Sequence, residues 1–159
     1  MKKYELTAEF IEKWGKKLFR IKALISFGSV EAGELGGYIE KEDNLAHDGN
    51  AWVYGDAEVC GNARVYGDAE VCGNADYLLI GRIGSRFSFT TFFKNKDKGI
   101  TVSCGCFLGT IAEFRAKVTD THGNNKHAKM YNLAADMAEL QILGEEYFDK
   151  LNTNKSEPF

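Results

Sequence analysis

Residues 50–75 read NAWVYG DAEVCG NARVYG DAEVCG NA, one six-residue unit written four times. The unit is Asn/Asp-Ala-x-Val-Tyr/Cys-Gly. Its valines are Val53, Val59, Val65 and Val71, and its alanines are Ala51, Ala57, Ala63, Ala69 and Ala75. A short fixed period signals stacked units, none of which can bury its apolar face alone. Period-two alternation turns each Val, and the Ala two residues before it, inward. Gly55, Gly61, Gly67 and Gly73, with the Asn or Asp after each, supply corners tolerant of positive φ.

This pattern resembles the hexapeptide repeat of left-handed parallel β-helices, in which three hexads make one triangular coil. The resemblance implies that Val53 stacks on Val71 and Ala57 on Ala75. The alternating Asn50, Asp56, Asn62, Asp68 and Asn74 then never place Asp on Asp, a column that strands about 4.8 Å apart would make repulsive. The same stacking puts Glu40, Glu58 and Asp76 in one outward acidic column, a solvated face or a surface for a cation or partner. Trp52, Tyr54 and Tyr66 point outward, large apolar groups of the kind that mark an oligomer contact.

The expected fold class is mainly β: a short left-handed parallel β-helix with an N-terminal β cap and a C-terminal α+β cap. The boundaries are 1–34 for the N-terminal cap, 35–76 for the repeat, 77–144 for the C-terminal cap and 145–159 for a frayed tail. Residues 1–30 read as strands around a turn at Gly15. DYLLIGRIGSR, FSFTTFF and ITVSCGCF read as strands. Thr110-Ile-Ala-Glu113 is a capping box opening a helix with Ile111, Phe114 and Val118 on one stripe. A second helix runs from about Lys126 to Leu143, with Tyr131, Ala134, Ala138 and Ile142 inward.

Composition narrows the function classes. Net charge is −3, and residues 31–76 carry eleven acids against Lys41 and Arg64, which argues against direct nucleic-acid binding by the repeat. The apolar run YLLIG is far too short to span a bilayer. Met1-Lys-Lys leads into no apolar signal region, so cytoplasmic residence is expected. Cys60, Cys72, Cys104 and Cys106 read as free thiols. Cys104-Gly-Cys106 lacks zinc-knuckle spacing, and neither a metal nor a cofactor is expected.

The chain carries a second resemblance, over nearly its full length. LGGYIEKEDNLAHDGNAWVYGDAEV, YLLIGRIGSR, TTFF, ITVSCGCFLGT and THGNNKHAK together are similar to a family of hexapeptide-repeat proteins of phages and prophages. SCGCF and THGNNK are more specific than the repeat. The family is defined by architecture, so the resemblance brings no reaction, substrate or catalytic residue. It implies the cytoplasm of a bacterial host.

Two classes of function remain. One is an acyltransferase-like enzyme with a base among His47, His122 and His127. Its cofactor would lie along coils, but only about forty residues separate Leu35 from Ala75, a short wall for acyl-CoA. The other, favoured, is a non-enzymatic binding or assembly protein, a homo-oligomer that displays the C-terminal cap to a host protein and inhibits a host factor or defence system. A small anion is an alternative ligand. Its candidate site is Arg82, Ser85 and Arg86 with His122, Asn124, Asn125 and Lys126 at a helix N-terminus.

Overall fold

The computed structural model describes residues 2–156. From Ala51 to Val71 every alanine and valine of the inward phase is 2 % exposed or less. The repeat therefore buries the face that its alternation marks. It does not build a β-helix. Among the described residues the fold is mixed α/β, with two four-stranded sheets, one short parallel pair and three helices.

Strand β1 (Tyr4–Lys13) and β2 (Lys16–Ala23) form a hairpin turning at Trp14-Gly15. Strand β3 (Leu35–Ile39) pairs antiparallel with β2, and β5 (Glu58–Val59) pairs parallel with β3, closing a mixed sheet. Between them, β4 (Trp52–Val53) pairs parallel with β6 (Glu70–Val71), bringing Val53 beside Val71. The C-terminal sheet is fully antiparallel, in the order β10 (Phe107–Thr110), β9 (Ile100–Cys104), β8 (Ser88–Lys94), β7 (Tyr77–Ile83). Helices α1 (Ile111–His122) and α2 (Lys126–Ala138) cover one face of it, and a π-helical turn at Glu139–Leu143 leads on from α2. Residues 145–156, expected to fray, lie in helix α3 (Glu145–Ser156).

Two physical features overturn the β-helix. Each hexad strand is only two residues long, and antiparallel neighbours claim its free edges: β2 beside β3, and Asn95 bridging Ala69. The phase also slips. Ile39 pairs with Val59 and Leu45 with Val65, twenty residues on, whereas Val53 pairs with Val71, eighteen on. Two extra residues therefore lie between Leu45 and Ala51. The corners follow the same limit: Gly55, Gly61 and Gly67 have φ of 59°, 65° and 70°, but Gly73 leaves the pattern at −150°.

The widened corner has its own supports. Lys3 is 1 % exposed, and its Nζ donates to Ala51 O at 2.6 Å and Gly49 O at 3.4 Å while lying 4.6 Å from the Phe27 ring centre. His47 stacks on Tyr4 at 4.2 Å and accepts the Lys3 backbone N–H at Nδ1. Trp52, expected outward, is 0 % exposed, because Phe27 and Tyr4 of the N-terminal segment meet its ring at 5.2 and 6.2 Å. Tyr54 and Tyr66 are half-buried, their hydroxyls 3.4 Å from Ser29 Oγ and Asp43 O. Asn44, fully buried, accepts the Glu40 and Lys41 N–H groups and donates to Gly61 O and Ala63 O.

The C-terminal unit follows its sequence signals closely. Thr110 Oγ1 accepts the Glu113 N–H at the start of α1, and Phe114 and Val118 are its buried stripe. Arg115 ties α1 to Asn132, Asp136 and Glu139 of the following helical segment.

Asn44→Ala is expected to lower stability by about 2–4 kcal/mol, because it strands four backbone groups in a buried site. Asn62→Ala, at an exposed position in the repeat, should stay within about 0.5 kcal/mol. Urea denaturation of the two variants separates them, and equal losses would contradict the role given to Asn44.

Lys3 makes stability depend on pH. Burial lowers its pKa from 10.5 to about 8, against the opposing pull of the Asp48 carboxylate. Between those values the unfolded chain binds more protons than the folded one, so this contribution to stability rises with pH. The urea midpoint of wild type should therefore gain on that of Lys3→Met from pH 8 to 10.5. A constant difference across that window would refute the burial of the ammonium.

Candidate functional site

The two faces of the C-terminal sheet have different company. Phe92, Val102 and Ile100 face the helices in one apolar cluster, while Phe93 belongs to the cluster of the repeat. The helix-side face opens at one end into a cleft of about 460 Å³. Ser85 and Arg86 reach it from the β7–β8 turn, and Cys104, Gly105, Cys106 and Phe107 from the β9–β10 turn. Lys117, Thr121 and His122 come from the last turns of α1, and Phe114, Val118 and Tyr131 make its apolar floor.

An aromatic chain holds that floor. Phe114 meets Phe92, Phe107 and Tyr131 at 5.6, 5.8 and 5.6 Å between ring centres, and His122 stacks on Tyr131 at 5.8 Å. Tyr131 is pinned against Gly84, where a Cβ would lie 1.9 Å from its hydroxyl, so any larger residue would push the ring away. Burial and then the neighbouring Cys104 raise the pKa of the Tyr131 hydroxyl, keeping it a neutral hydrogen-bonding group. The Thr90 hydroxyl donates to Cys104 Sγ at 3.2 Å.

The cations of the cleft stand out by what they lack. Neither Arg86 nor Lys117 is in an ion pair among the described residues, and no carboxylate lines the cleft. Unpaired positive charge beside an apolar floor is an environment in which an anionic group is stabilised and an aromatic or aliphatic one finds cover.

Of the residues expected to form an anion site, Ser85, Arg86 and His122 share this cleft. Arg82 on β7, Asn124 and Lys126 are exposed and line none of its wall. Asn125 is engaged elsewhere. Its side chain accepts the Ala128 N–H and caps α2, so the helix N-terminus is closed by the protein itself. Lys117, Phe107 and Tyr131 join the cleft without having been expected there. The signal for Lys117 lies in helix geometry, since Lys117 and Thr121 sit one turn apart beside the Phe114/Val118 stripe.

The acidic column does not exist as a ladder. The phase slip sets Glu58 opposite Tyr38, and the Glu40 N–H donates to Val59 O, past Glu58. Each acid is also engaged separately. Glu40 lies 3.6 Å from Lys16 and accepts the Gly61 N–H; Glu58 lies 2.5 Å from Lys13. Asp76 accepts the Cys72 and Gly73 N–H groups and lies 3.9 Å from Lys94. Among the described residues, no group of three or more His, Cys, Asp and Glu side chains is placed to hold a metal ion.

A second exposed feature runs along α2 and into the π-helical turn that follows it. Met130, Leu133, Met137 and Leu140 are 39 %, 66 %, 55 % and 43 % exposed, at intervals of three, four and three residues. Among the described residues, no helix is long and apolar enough to cross a membrane. The chain matches no protein-family model, and no curated protein is significantly similar to it.

Proposed function

We propose that this chain is a non-enzymatic binding protein that holds an anionic group in the cleft between the C-terminal sheet and α1. One observation carries the reading. SCGCF and THGNNK, the two stretches that most specifically resemble phage and prophage proteins, both supply its walls: Cys104, Gly105, Cys106 and Phe107 from one, Thr121 and His122 from the other. GRIGSR adds Arg86, and α1 adds Lys117. The setting proposed is the cytoplasm of a bacterial host, with the anionic group belonging to a host factor or defence component that the protein sequesters. The acyltransferase alternative gains nothing from His47, whose ring is held between Tyr4 and the Lys3 backbone, away from this cleft.

The test is calorimetry and thermal shift with inorganic phosphate, pyrophosphate and nucleoside 5′-phosphates. A ligand at a hundred times its Kd should add about 2.7 kcal/mol of stability. Arg86→Ala with Lys117→Ala should abolish that gain while the variant stays folded. Retained binding in this double variant, or loss of binding on altering Glu40 and Glu58, would show that another surface works.

The protein is further proposed to be a homo-oligomer, joined through α2 rather than through Trp52. The 3-4 spacing of Met130, Leu133 and Met137 on α2 is that of a seam on which a second copy of the same helix packs. Light scattering at tens of micromolar should give a multiple of the 17.7 kDa chain mass, and Leu133→Glu with Met137→Glu should give the monomer. A monomeric wild type would overturn this.

A further inference from the structure

The other face of the C-terminal sheet holds a second cleft, of about 390 Å³, between β8, β9 and the repeat. Its wall includes Arg64, Thr91 and Ser103, and it shares Ser88 and Gly105 with the helix-side cleft. Both shared residues are exposed, and a Cβ built on Gly105 would meet nothing within 4 Å. They form a low saddle between the two cavities.

The chemistry of the second cleft is that of a binding surface. Ser103 is 6 % exposed, and among the described residues its hydroxyl has no hydrogen-bond partner. That hydroxyl is not shut off from solvent, so it is open to a ligand in the cleft. Thr91, paired across the strands with Ser103, accepts the Arg64 N–H at 3.0 Å, which leaves its own O–H free to donate. Arg64 makes no ion pair among the described residues. Asp43 lines a separate pocket of about 50 Å³ with it, but no bridge joins them. Neither large cleft has a carboxylate in its wall, although the chain carries 23 acids against 20 bases. The unpaired cations Arg64, Arg86 and Lys117 thus lie along one line of cavities, hydroxyl-rich at one end and aromatic at the other.

We propose that the two clefts are one groove for a nucleotide with at least two phosphates, an inference that rests on the anion-binding reading of the helix-side cleft. The base lies against the half-buried rings Phe107 and Tyr131, in reach of π-stacking. The first phosphate meets Arg86 and Lys117. The second phosphate, bonded directly to the first, sits on the Ser88–Gly105 saddle, where Arg64, Thr91 and Ser103 of the second cleft bind it. A base without phosphates would leave the cations unpaired, and pyrophosphate alone would leave the apolar floor empty.

Calorimetry with AMP, ADP, GDP, UDP and pyrophosphate tests this on the full chain. At least one nucleoside diphosphate should bind about tenfold more tightly than its monophosphate and than pyrophosphate. Arg64→Ala should remove that tenfold advantage and leave the monophosphate affinity unchanged. Ser103→Ala, at a residue that lines the second cleft and not the helix-side one, should weaken diphosphate binding in the same way and guards against a local effect of the Arg64 change. If both variants bind the diphosphate as wild type does, while Arg86→Ala with Lys117→Ala binds nothing, the helix-side cleft stands alone and the joined groove is wrong. If pyrophosphate binds and no nucleotide binds better, the nucleotide is wrong. If no probe binds at millimolar concentration, both readings fall.

Discussion

A strand two residues long offers too few backbone hydrogen bonds to hold its neighbours in register, and the repeat consists of such strands. Its packed interior is sound: the alanines and valines from Ala51 to Val71 are closed from solvent. What it lacks is covered edges. Those are supplied from outside, by β2 and β3 on one side and by the C-terminal sheet on the other, where Ala69 bridges Asn95 and the Lys96 N–H donates to Asp68 O. The Asn44 side-chain amide satisfies backbone groups of the repeat that no ladder reaches, and that of Asn95 holds the β8–β9 turn beside it. The second cleft is a result of this docking, since one wall is repeat and the other is sheet.

Local signals are legible in this sequence, and long-range pairings are not. The inward phase of Val53, Val59, Val65 and Val71, the turn at Gly15 and the capping box at Thr110 each depend on a few neighbouring residues, and each is where the sequence places it. The fold class depends on which edges meet. A period of six marks the face that is buried, but says nothing about an antiparallel partner far away in the chain. It also hides the two extra residues before Ala51, because Ile39, Leu45, Ala51 and Ala57 still fall six apart when alanine and valine phases are mixed. That single slip takes Glu40 out of line with Glu58, and the turn at Asn74–Asp76 takes Asp76 off the strands. Trp52 departs from expectation for a related reason: alternation puts it outward, and a cover formed by Phe27 and Tyr4 cannot be seen from within the repeat.

The site is legible in proportion to its departure from repetition. Ser85, Arg86 and His122 stand out because they are polar, non-repeating and flanked by turns. Arg64 has the same signal in fainter form, as the one base in a unit position otherwise held by Trp52, Glu58 and Glu70. The expected use of a helix N-terminus fails because Asn125 already caps it. The electrostatic logic of the molecule is instead one of pairing. Lysines 13, 16 and 94 are beside the acids Glu58, Glu40 and Asp76, while the cations along the groove have no such partners.

On this account the working surface is the cleft where residues 85–86, 104–107 and 117–122 meet. A pyrophosphate titration followed by amide NMR of the full chain tests it most directly. The account predicts that saturable shifts concentrate on Ser85, Arg86, Gly105, Cys106, Lys117 and His122, with the Glu40, Glu58 and Asp76 amides unmoved. Shifts confined to the repeat's acidic side, or to the α2 N-terminus at Asn124–Lys126, would contradict it.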